Sequence, residues 1–449
     1  MDVSLVFLGG TDEIGANSIY AKIGSTGFIL DSGLHPNKRD KEALPAFEFI
    51  ENEQTDYLLI SHSHTDHTGA IPYALKLFPH LKLFSTYPTR DILPLMIKDT
   101  ARILRTDLVN EFSADMLSLY SSEMLEKIPL VNRGIKYRKS IKADEVGTSF
   151  KFYPAGHVLG AASILLEGLG KRIFYTGDYN LSNSALIKGA KPPGGPFDVL
   201  ITEITNFAPG ELPPRKDELK RLAAFINRVA DSNGSVLLPA FSLGKTQELL
   251  KICHDMMVSG KIPHLPVYSA GLGQKISRVY DIYCYEEEML RQGFEISDIR
   301  QHRIDRENIS RNKFFKEASL VIVSNGMLVK NTLSYNLALE WMRLPNYGIA
   351  ITGYMDPDSP GAALANSEKN VKFEFGGKKV FRGCELGVYR LSSHSYPDDM
   401  INFFLESNPA KIFAVHGDGD SFLNFLEILQ DRGFSGDIVR PVLNKKYII

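Results

Sequence analysis

Along the first 205 residues, short apolar runs alternate with Gly, Asp and Asn turns: VSLVFLGG, NSIYAKIG, GFILDSG, DYLLISH, SFKFYPAGH, SILLEG, RIFYTGD and DVLITE. Runs of this length bounded by turn residues predict strands that end on loops. TGAIPYALKLF and TRDILPLMIKDTARIL, set between them, carry apolar positions at helical spacing, so helices mix with strands from the start. From about 208 the order becomes strand then helix in regular alternation: SVLLPAF then GKTQELLKICHDMM, LPVYSA then LGQKISRVYDIY, SLVIVSNGML then NTLSYNLALEWM. That alternation predicts parallel βαβ units. Composition shifts at AKPPGGPFD (190–198) and SPGAALANSE (359–368) read as linkers. After 383 the short β pattern returns in LGVYRLSSH and AKIFAVHG, and this last segment is expected to rejoin the first domain. The expected division is therefore 1–207, 208–383 and 384–449, in an α/β protein.

Composition narrows the class without changing that picture. The chain has 449 residues, 44% hydrophobic and 23% charged, ordinary values for a folded globular protein of two or three domains. Cys253, Cys284 and Cys384 lie far apart and form no CxxC pair, which argues against a disulfide framework and against a thiolate zinc site. The N-terminal MDVSLVFLGG has neither a basic leader nor a cleavage site, and no stretch approaches the length of a membrane span. A soluble cytoplasmic protein with no membrane partner is expected. Net charge is −2 overall, but residues 208–383 hold 24 Lys and Arg against 20 Asp and Glu, leaving 27 against 33 elsewhere from totals of 51 and 53. The middle is basic and the two ends are acidic.

The chemistry concentrates in SHSHTDHTG at 61–69. The strand DYLLI delivers His62, His64, Asp66 and His67 onto the loop that follows it, where side chains converge instead of alternating across a sheet. Imidazole and carboxylate donors without cysteine suit a catalytic Zn²⁺ or Mn²⁺ better than a structural zinc. A lone loop histidine is usually satisfied by hydrogen bonds, but four ligand-type residues within six positions are not a lone histidine. Further ligands must come from distant sequence, and the candidates at equivalent strand ends are His157 in YPAGHVLG, Asp178 in YTGDYN and His416 in AVHGD.

HxHxDH followed by GH, TGD and HG, with LDSG ahead of it, resembles the metallo-β-lactamase fold, and the resemblance runs the length of the chain. More narrowly, Glu203 in ITEITNF, the run LLPAFSLGKTQELL (237–250), SNGML (324–328), ITGY (351–354) and LSSHSYPDD (391–399) resemble the β-CASP nucleases, the family that includes RNase J and the pre-mRNA 3′-end processing endonuclease. The resemblance implies an αβ/βα sandwich with an inserted β-CASP α/β domain. It implies one zinc on His62, His64 and His157 and another on Asp66, His67 and His416, with Asp178 bridging and Asp31 of LDSG orienting a ligand from behind. Two such ions, about 3.5 to 4 Å apart, clamp the attacking and leaving oxygens of an in-line displacement. It also implies that His394, oriented by Glu203, protonates the leaving oxygen, as general acid catalysis near neutral pH requires.

On the same basis the basic middle segment grips a nucleic-acid backbone. Lys245 and the turn residues Ser324 and Gly326 are the substrate-binding candidates, because helix N-terminal amides receive phosphate. Each of these is also simply a capped helix following a strand. RQHRIDRENISRNKFFK (300–316) reads as a phosphate-tracking strip or as a solvated face. Two departures stand out: Thr205, Asn206 and Phe207 where the family has threonine, tyrosine and glycine, and Lys330–Asn331 in place of a glycine pair. The expected function is hydrolysis of single-stranded RNA by two Zn²⁺, with Mn²⁺ as the alternative ion. A DNA nuclease, a hydrolase of small esters, thioesters or lactones, and a noncatalytic RNA-binding subunit are the competing readings. A homodimer is left open. Ile449 follows soon after His416, so no further C-terminal domain is expected.

Overall fold

The structure is a computed structural model that describes residues 2–106, 112–210, 212–304 and 317–449. It divides into two compact units. One comprises Met1–Asn183, Ile187–Gly210 and His394–Ile449, and the other comprises Ser184–Leu186 and Glu211–Ser393.

In the first unit the described strands make two seven-stranded sheets. One runs in the order Lys446–Ile448, Val3–Gly9, Ser18–Ile23, Thr26–Leu30, Tyr57–Leu59, Lys82–Thr86, Asn132–Ile135, and the other in the order Asp437–Val439, Lys411–Val415, Val199–Glu203, Lys171–Tyr175, Ala162–Gly168, Ser149–Pro154, Ile141–Lys142. Alternation along each strand sorts the side chains by face. Val3, Leu5 and Phe7 point into a core shared with Phe150, Phe152, Ile164, Ile173, Ile201 and Phe413 from the other sheet. Val6 and Leu8 point the other way, onto the helices Ile71–Leu77, Tyr87–Thr106 and Ser122–Val131. The second sheet's outer face receives Phe403 of the helix Pro397–Ser407, whose ring sits 6.3 Å from that of Phe174. Two sheets face to face with helices outside is the metallo-β-lactamase αβ/βα sandwich.

The C-terminal segment is structurally part of this sandwich. Lys411–Val415 pairs in parallel with Val199–Glu203, and Lys446–Ile448 pairs antiparallel with Val3–Gly9.

The second unit has a six-stranded sheet in the order Gln301–Arg303, Val267–Ala270, Leu320–Val323, Val236–Pro239, Gly348–Ile351, Glu385–Val388. Every pairing in it is parallel. Helices after the strands cover both faces, which is why Leu320–Val323 and Val236–Pro239 read as unbroken apolar runs. The boundary expected at 384 moves here: Glu385–Val388 hydrogen-bonds to Gly348–Ile351, so the chain leaves this unit only after Ser393. Four residues of short β pattern do not specify which sheet they will join. Of the basic run 300–316, residues 305–316 lie outside the described residues. Among the described residues no helix is long and apolar enough to cross a membrane.

Candidate metal centre

The first unit brings the dispersed candidates together at the ends of its strands. Tyr57–Leu59 leads into His62 and His64, and the four-residue helix Thr65–Thr68 presents Asp66 and His67. His157 follows Ser149–Pro154, Asp178 follows Lys171–Tyr175, Glu203 closes Val199–Glu203, and His416 follows Lys411–Val415. Gly156 sits at φ +72°, and a Cβ there would lie 2.3 Å from the Asn180 carbonyl oxygen, so the turn that delivers His157 requires glycine. His416 and Asp31 themselves adopt the left-handed region, at φ 54° and 60°. Such backbone is held only where the surroundings determine it, as they do here through the His416 amide bonded to the Gly10 carbonyl at 3.0 Å and the Asp31 amide bonded to the Leu59 carbonyl at 3.0 Å.

Two ligand groups share one carboxylate. His62, His64, His157 and Asp178 form one, and Asp66, His67, Asp178 and His416 form the other, with the ligand atoms of each within 4.8 Å of one another. His62 Nε2 and His64 Nδ1 are 2.9 Å apart, and His157 Nε2 is 3.3 Å from the same His64 nitrogen. Asp178 Oδ2 lies 3.7 and 3.8 Å from His62 and His157, while its Oδ1 lies 3.3 and 3.5 Å from His67 and His416. His62, His67, His157, Asp178 and His416 are buried.

The residues behind the ligands fix which imidazole nitrogen faces the cluster. Asp31 Oδ2 accepts from His67 Nδ1 at 2.8 Å, from the Ser61 hydroxyl at 2.6 Å and from the Tyr175 hydroxyl at 2.8 Å, while its Oδ1 takes the Ser61 amide at 2.7 Å. With its proton given to Asp31, the Ser61 hydroxyl accepts from His62 Nδ1 at 3.1 Å. The Thr205 hydroxyl donates to Glu203 Oε2 and accepts from His416 Nδ1 at 3.0 Å. With Nδ1 of each engaged from behind, all three histidines turn Nε2 toward the cluster, the arrangement metal-binding histidines adopt.

The charges in the site favour a cation. Burial opposes ionisation of Asp178, but His416, His67 and His394 outweigh it and hold the carboxyl well below the usual range. Asp66 is likewise lowered, by His67 and His416 against burial. In turn, burial would lower the His67 pKa, yet Asp178, Asp66 and Asp31 raise it well above its ordinary value. His62 is pushed the other way, by burial and then by His67. Asp178 Oδ1 is buried without a hydrogen-bond partner. A buried carboxylate oxygen left without a hydrogen bond is otherwise costly, and divalent cations satisfy it. The His/Asp cluster is suited to binding metal ions.

Beside the cluster, His394 Nδ1 is 2.8 Å from both oxygens of Glu203, and its ring centroid is 4.7 Å from that of His157. Glu203 Oε1 also accepts the Tyr179 amide at 3.0 Å. The His394 loop is clamped by Asn206, whose Nδ2 donates to the His394 and Ser395 carbonyls at 3.2 and 2.9 Å, and by the Ser395 amide on the Tyr179 carbonyl at 2.8 Å. Burial would lower the His394 pKa, but Glu203, with Asp178 and Asp66 behind it, raises it to about 9. Its side chain keeps 19% exposure, enough to reach a substrate atom.

Models of known protein families match two stretches of the sequence: the Metallo-beta-lactamase superfamily over residues 11–208 and the Beta-Casp domain over residues 246–364. A metallo-β-lactamase domain and a Beta-Casp domain thus make up the matched parts of the chain. It is 28% identical over 440 residues to the Cleavage and polyadenylation specificity factor subunit 3 of Dictyostelium discoideum, covering 97% of this chain and 56% of that protein. It is also 28% identical over 431 residues to the RNase J-like protein of Methanocaldococcus jannaschii, covering 94% of each. The chain thus spans little more than half the length of the first of these relatives. A crystal structure of a protein of unknown function from Enterococcus faecalis V583 has the same fold, with a TM-score of 0.59, 14% identity and full coverage of both chains.

Within this family frame, the metal-ligand candidates, Asp31, Glu203 and His394 lie together in the sandwich unit, whereas the three substrate-binding candidates lie in the other unit. Lys245 opens the helix Lys245–Val258 but is buried, its ammonium held by Glu248 Oε2 at 2.8 Å and by the Leu391 carbonyl. Arg215 reaches the same Glu248. The carboxylate one helical turn on thus takes the Lys245 charge inward. Ser324 and Gly326 follow Leu320–Val323, where a Cβ on Gly326 would stand 3.0 Å from the Phe241 amide. Reasoning from sequence did not single out Asn17, Ser61 or Tyr175, and met Thr205 and Asn206 only as departures. Asn17 Nδ2 lies 3.1 Å from His67 Nε2.

Proposed function

We propose that this chain is a metal-dependent ribonuclease that hydrolyses phosphodiester bonds of single-stranded RNA, leaving a 5′-phosphate and a 3′-hydroxyl. The observation that carries the reading is the Glu203–His394 pair set directly beside a cluster that offers two metal positions. A thioester hydrolase needs no proton donor of this kind, because its leaving thiolate is a far weaker base than the ribose alkoxide. The names of the relatives, a cleavage and polyadenylation specificity factor and an RNase J-like protein, support RNA as the polymer.

Two Zn²⁺, or Mn²⁺ in their place, would sit on His62, His64 and His157 and on Asp66, His67 and His416, with Asp178 shared, and would supply Lewis-acid activation of the phosphate and a nucleophile at neutral pH. The protein's own residues do the rest. Asp31, Ser61 and Thr205 keep three imidazoles in the tautomer that binds a metal. Asp66 and Asp178 offset the charge of the ions. Glu203 holds the proton of His394 on Nδ1 and aims Nε2, and His394 releases its Nε2 proton to the leaving 3′-oxygen.

The test uses zinc-loaded protein with one labelled sequence prepared as single-stranded RNA and as DNA. Cleavage of the RNA, lost in His64→Ala, is expected. Cleavage of DNA alone, or full activity in His64→Ala, overturns the reading.

A further inference from the structure

In the second unit, Lys372–Phe375 and Lys378–Phe381 form a two-stranded antiparallel ribbon turned by Gly376 and Gly377 at φ +57° and +79°. Opposite partners are Lys372 and Phe381, Phe373 and Val380, Glu374 and Lys379, Phe375 and Lys378. Alternation gives the ribbon two unlike faces. Phe375 is fully buried, its ring stacked on Tyr335 at 4.7 Å with planes 1° apart, and Phe373 and Val380 pack on the same core. The opposite face carries Lys372, Glu374, Lys379 and Phe381, all exposed to solvent, with Phe381 at 54%. Lys372 Nζ stands 5.6 Å over the Phe381 ring.

At the turn, Lys378 is joined by Lys330 from the position where the family has a glycine pair. Lys330 Nζ lies 3.4 Å from where a Cβ on Gly377 would be. Lys330, Lys372, Lys378 and Lys379 are exposed, and none of them forms an ion pair with a carboxylate among the described residues. Their neighbours are spent: Lys369 pairs with Glu385 at 2.7 Å, and Arg382 is buried on Ser367 and the Cys384 carbonyl. The ribbon thus carries three ammonium groups, with Lys330 as a fourth beside its turn, against one acidic residue, Glu374, which stands opposite Lys379.

Surface lysines this close normally find carboxylates, and left without them they repel one another. A chain of phosphates relieves that repulsion at several points at once and releases its own counterions. An exposed phenylalanine among the lysines adds what a phosphate chain alone does not need, a flat face on which an unpaired base stacks. We propose that Lys330, Lys372, Lys378, Lys379 and Phe381 form an accessory site for single-stranded RNA, with lysines on the backbone and Phe381 under a base. The proposal rests on the ribonuclease reading for the identity of the polymer. On this account, replacement of the glycine pair by Lys330–Asn331 adds a phosphate contact.

The test is equilibrium binding of a labelled 20-nucleotide single-stranded RNA to the full chain in chelator, across a series of salt concentrations, with cleavage of the same RNA measured separately after zinc is restored. Replacing Lys372, Lys378 and Lys379 by Gln is expected to make the log–log salt dependence shallower by about 2 and to weaken binding about tenfold or more at 0.1 M salt. Phe381→Ala, which removes no charge, is expected to weaken binding about tenfold while leaving the slope unchanged. Affinity and slope unaltered in the triple variant overturn the ribbon site. If the wild type cleaves RNA and the triple variant binds it unchanged, the ribbon fails alone. If the salt slope shifts as expected but no RNA is cut, the ribbon stands and the ribonuclease reading fails. A wild type that neither binds nor cuts RNA removes both.

Discussion

Asp31 never reaches the metal positions, yet its replacement by Asn is expected to damage the site nearly as much as loss of a ligand. The carboxylate is wholly buried and accepts four hydrogen bonds, from the Ser61 amide, the Ser61 hydroxyl, the Tyr175 hydroxyl and His67 Nδ1, at 2.6 to 2.8 Å. An asparagine in its place keeps one accepting oxygen for the Ser61 amide but turns an N–H₂ toward the other three donors. The two hydroxyls can rotate and accept. His67 cannot, unless its proton moves to Nε2, and that nitrogen lies 3.3 Å from Asp178 and 3.7 Å from Asp66 on the metal side. The variant therefore either leaves a buried donor unsatisfied, at about 1–3 kcal/mol, or gives up a ligand lone pair. Adding the loss of charge-assisted bonds, the expected destabilisation of the metal-free protein is about 2–4 kcal/mol, and the expected loss of zinc affinity at the Asp66, His67 and His416 position is about 10- to 100-fold. Urea unfolding in chelator measures the first, and competition with a chromophoric chelator measures the second. Tyr175→Phe is the control: it deletes one hydrogen bond without introducing a donor, and should cost about 1 kcal/mol with zinc affinity unchanged. If Asp31→Asn matches wild type within about 0.5 kcal/mol and binds zinc equally well, the tautomer argument is wrong.

Two further predictions concern the acid His394 and the metal ligand His416. Burial alone would lower the His394 pKa, and Glu203, Asp178 and Asp66 together raise it to about 9, so its proton is fully present at neutral pH and is lost as pH climbs toward that value. Bound cations act against Asp178 and Asp66, so the alkaline limb of the rate profile should fall at or below 9, and Glu203→Gln should move it down by about 1–3 units. An unmoved limb would remove His394 as the titrating acid. Thr205→Val should weaken zinc at His416 about 10- to 100-fold, and Thr205→Ser should restore it. Equal zinc affinity in the Val variant would show that the hydroxyl does not orient His416.

What could be read in the sequence follows from distance along the chain. His62, His64, Asp66 and His67 announce themselves because a strand end and one helical turn put them in a single window. His157, Asp178 and His416 were named because each follows an apolar run, and strands of one sheet end together. Ser61, Tyr175 and Asn17 carry no such mark: they contribute through contacts with residues up to 144 positions away, as Tyr175 does with Asp31. Thr205 shows how a departure can mislead, since the hydroxyl kept beside Glu203 matters to His416, while the altered Asn206 clamps the His394 loop and Phe207 packs 4.9 Å from Phe425. Lys245 is the converse case. A lysine after a turn glycine reads as a phosphate contact, and the signal against it was Glu248 three residues on, facing it across one helical turn. The boundary at 384 was missed because Glu385–Val388 is too short and half-exposed to show which sheet it belongs to.

The proposed ribonuclease activity depends on two metal positions that share Asp178. It is tested most directly by titrating zinc into metal-free protein while following bound metal and cleavage of single-stranded RNA labelled at its 5′ or 3′ end. Saturation is expected at two equivalents, with cleavage that rises with the second, products with 5′-phosphate and 3′-hydroxyl ends, and no cleavage in Asp178→Ala. Two bound equivalents without RNA cleavage, or cleavage that persists in Asp178→Ala, would contradict it.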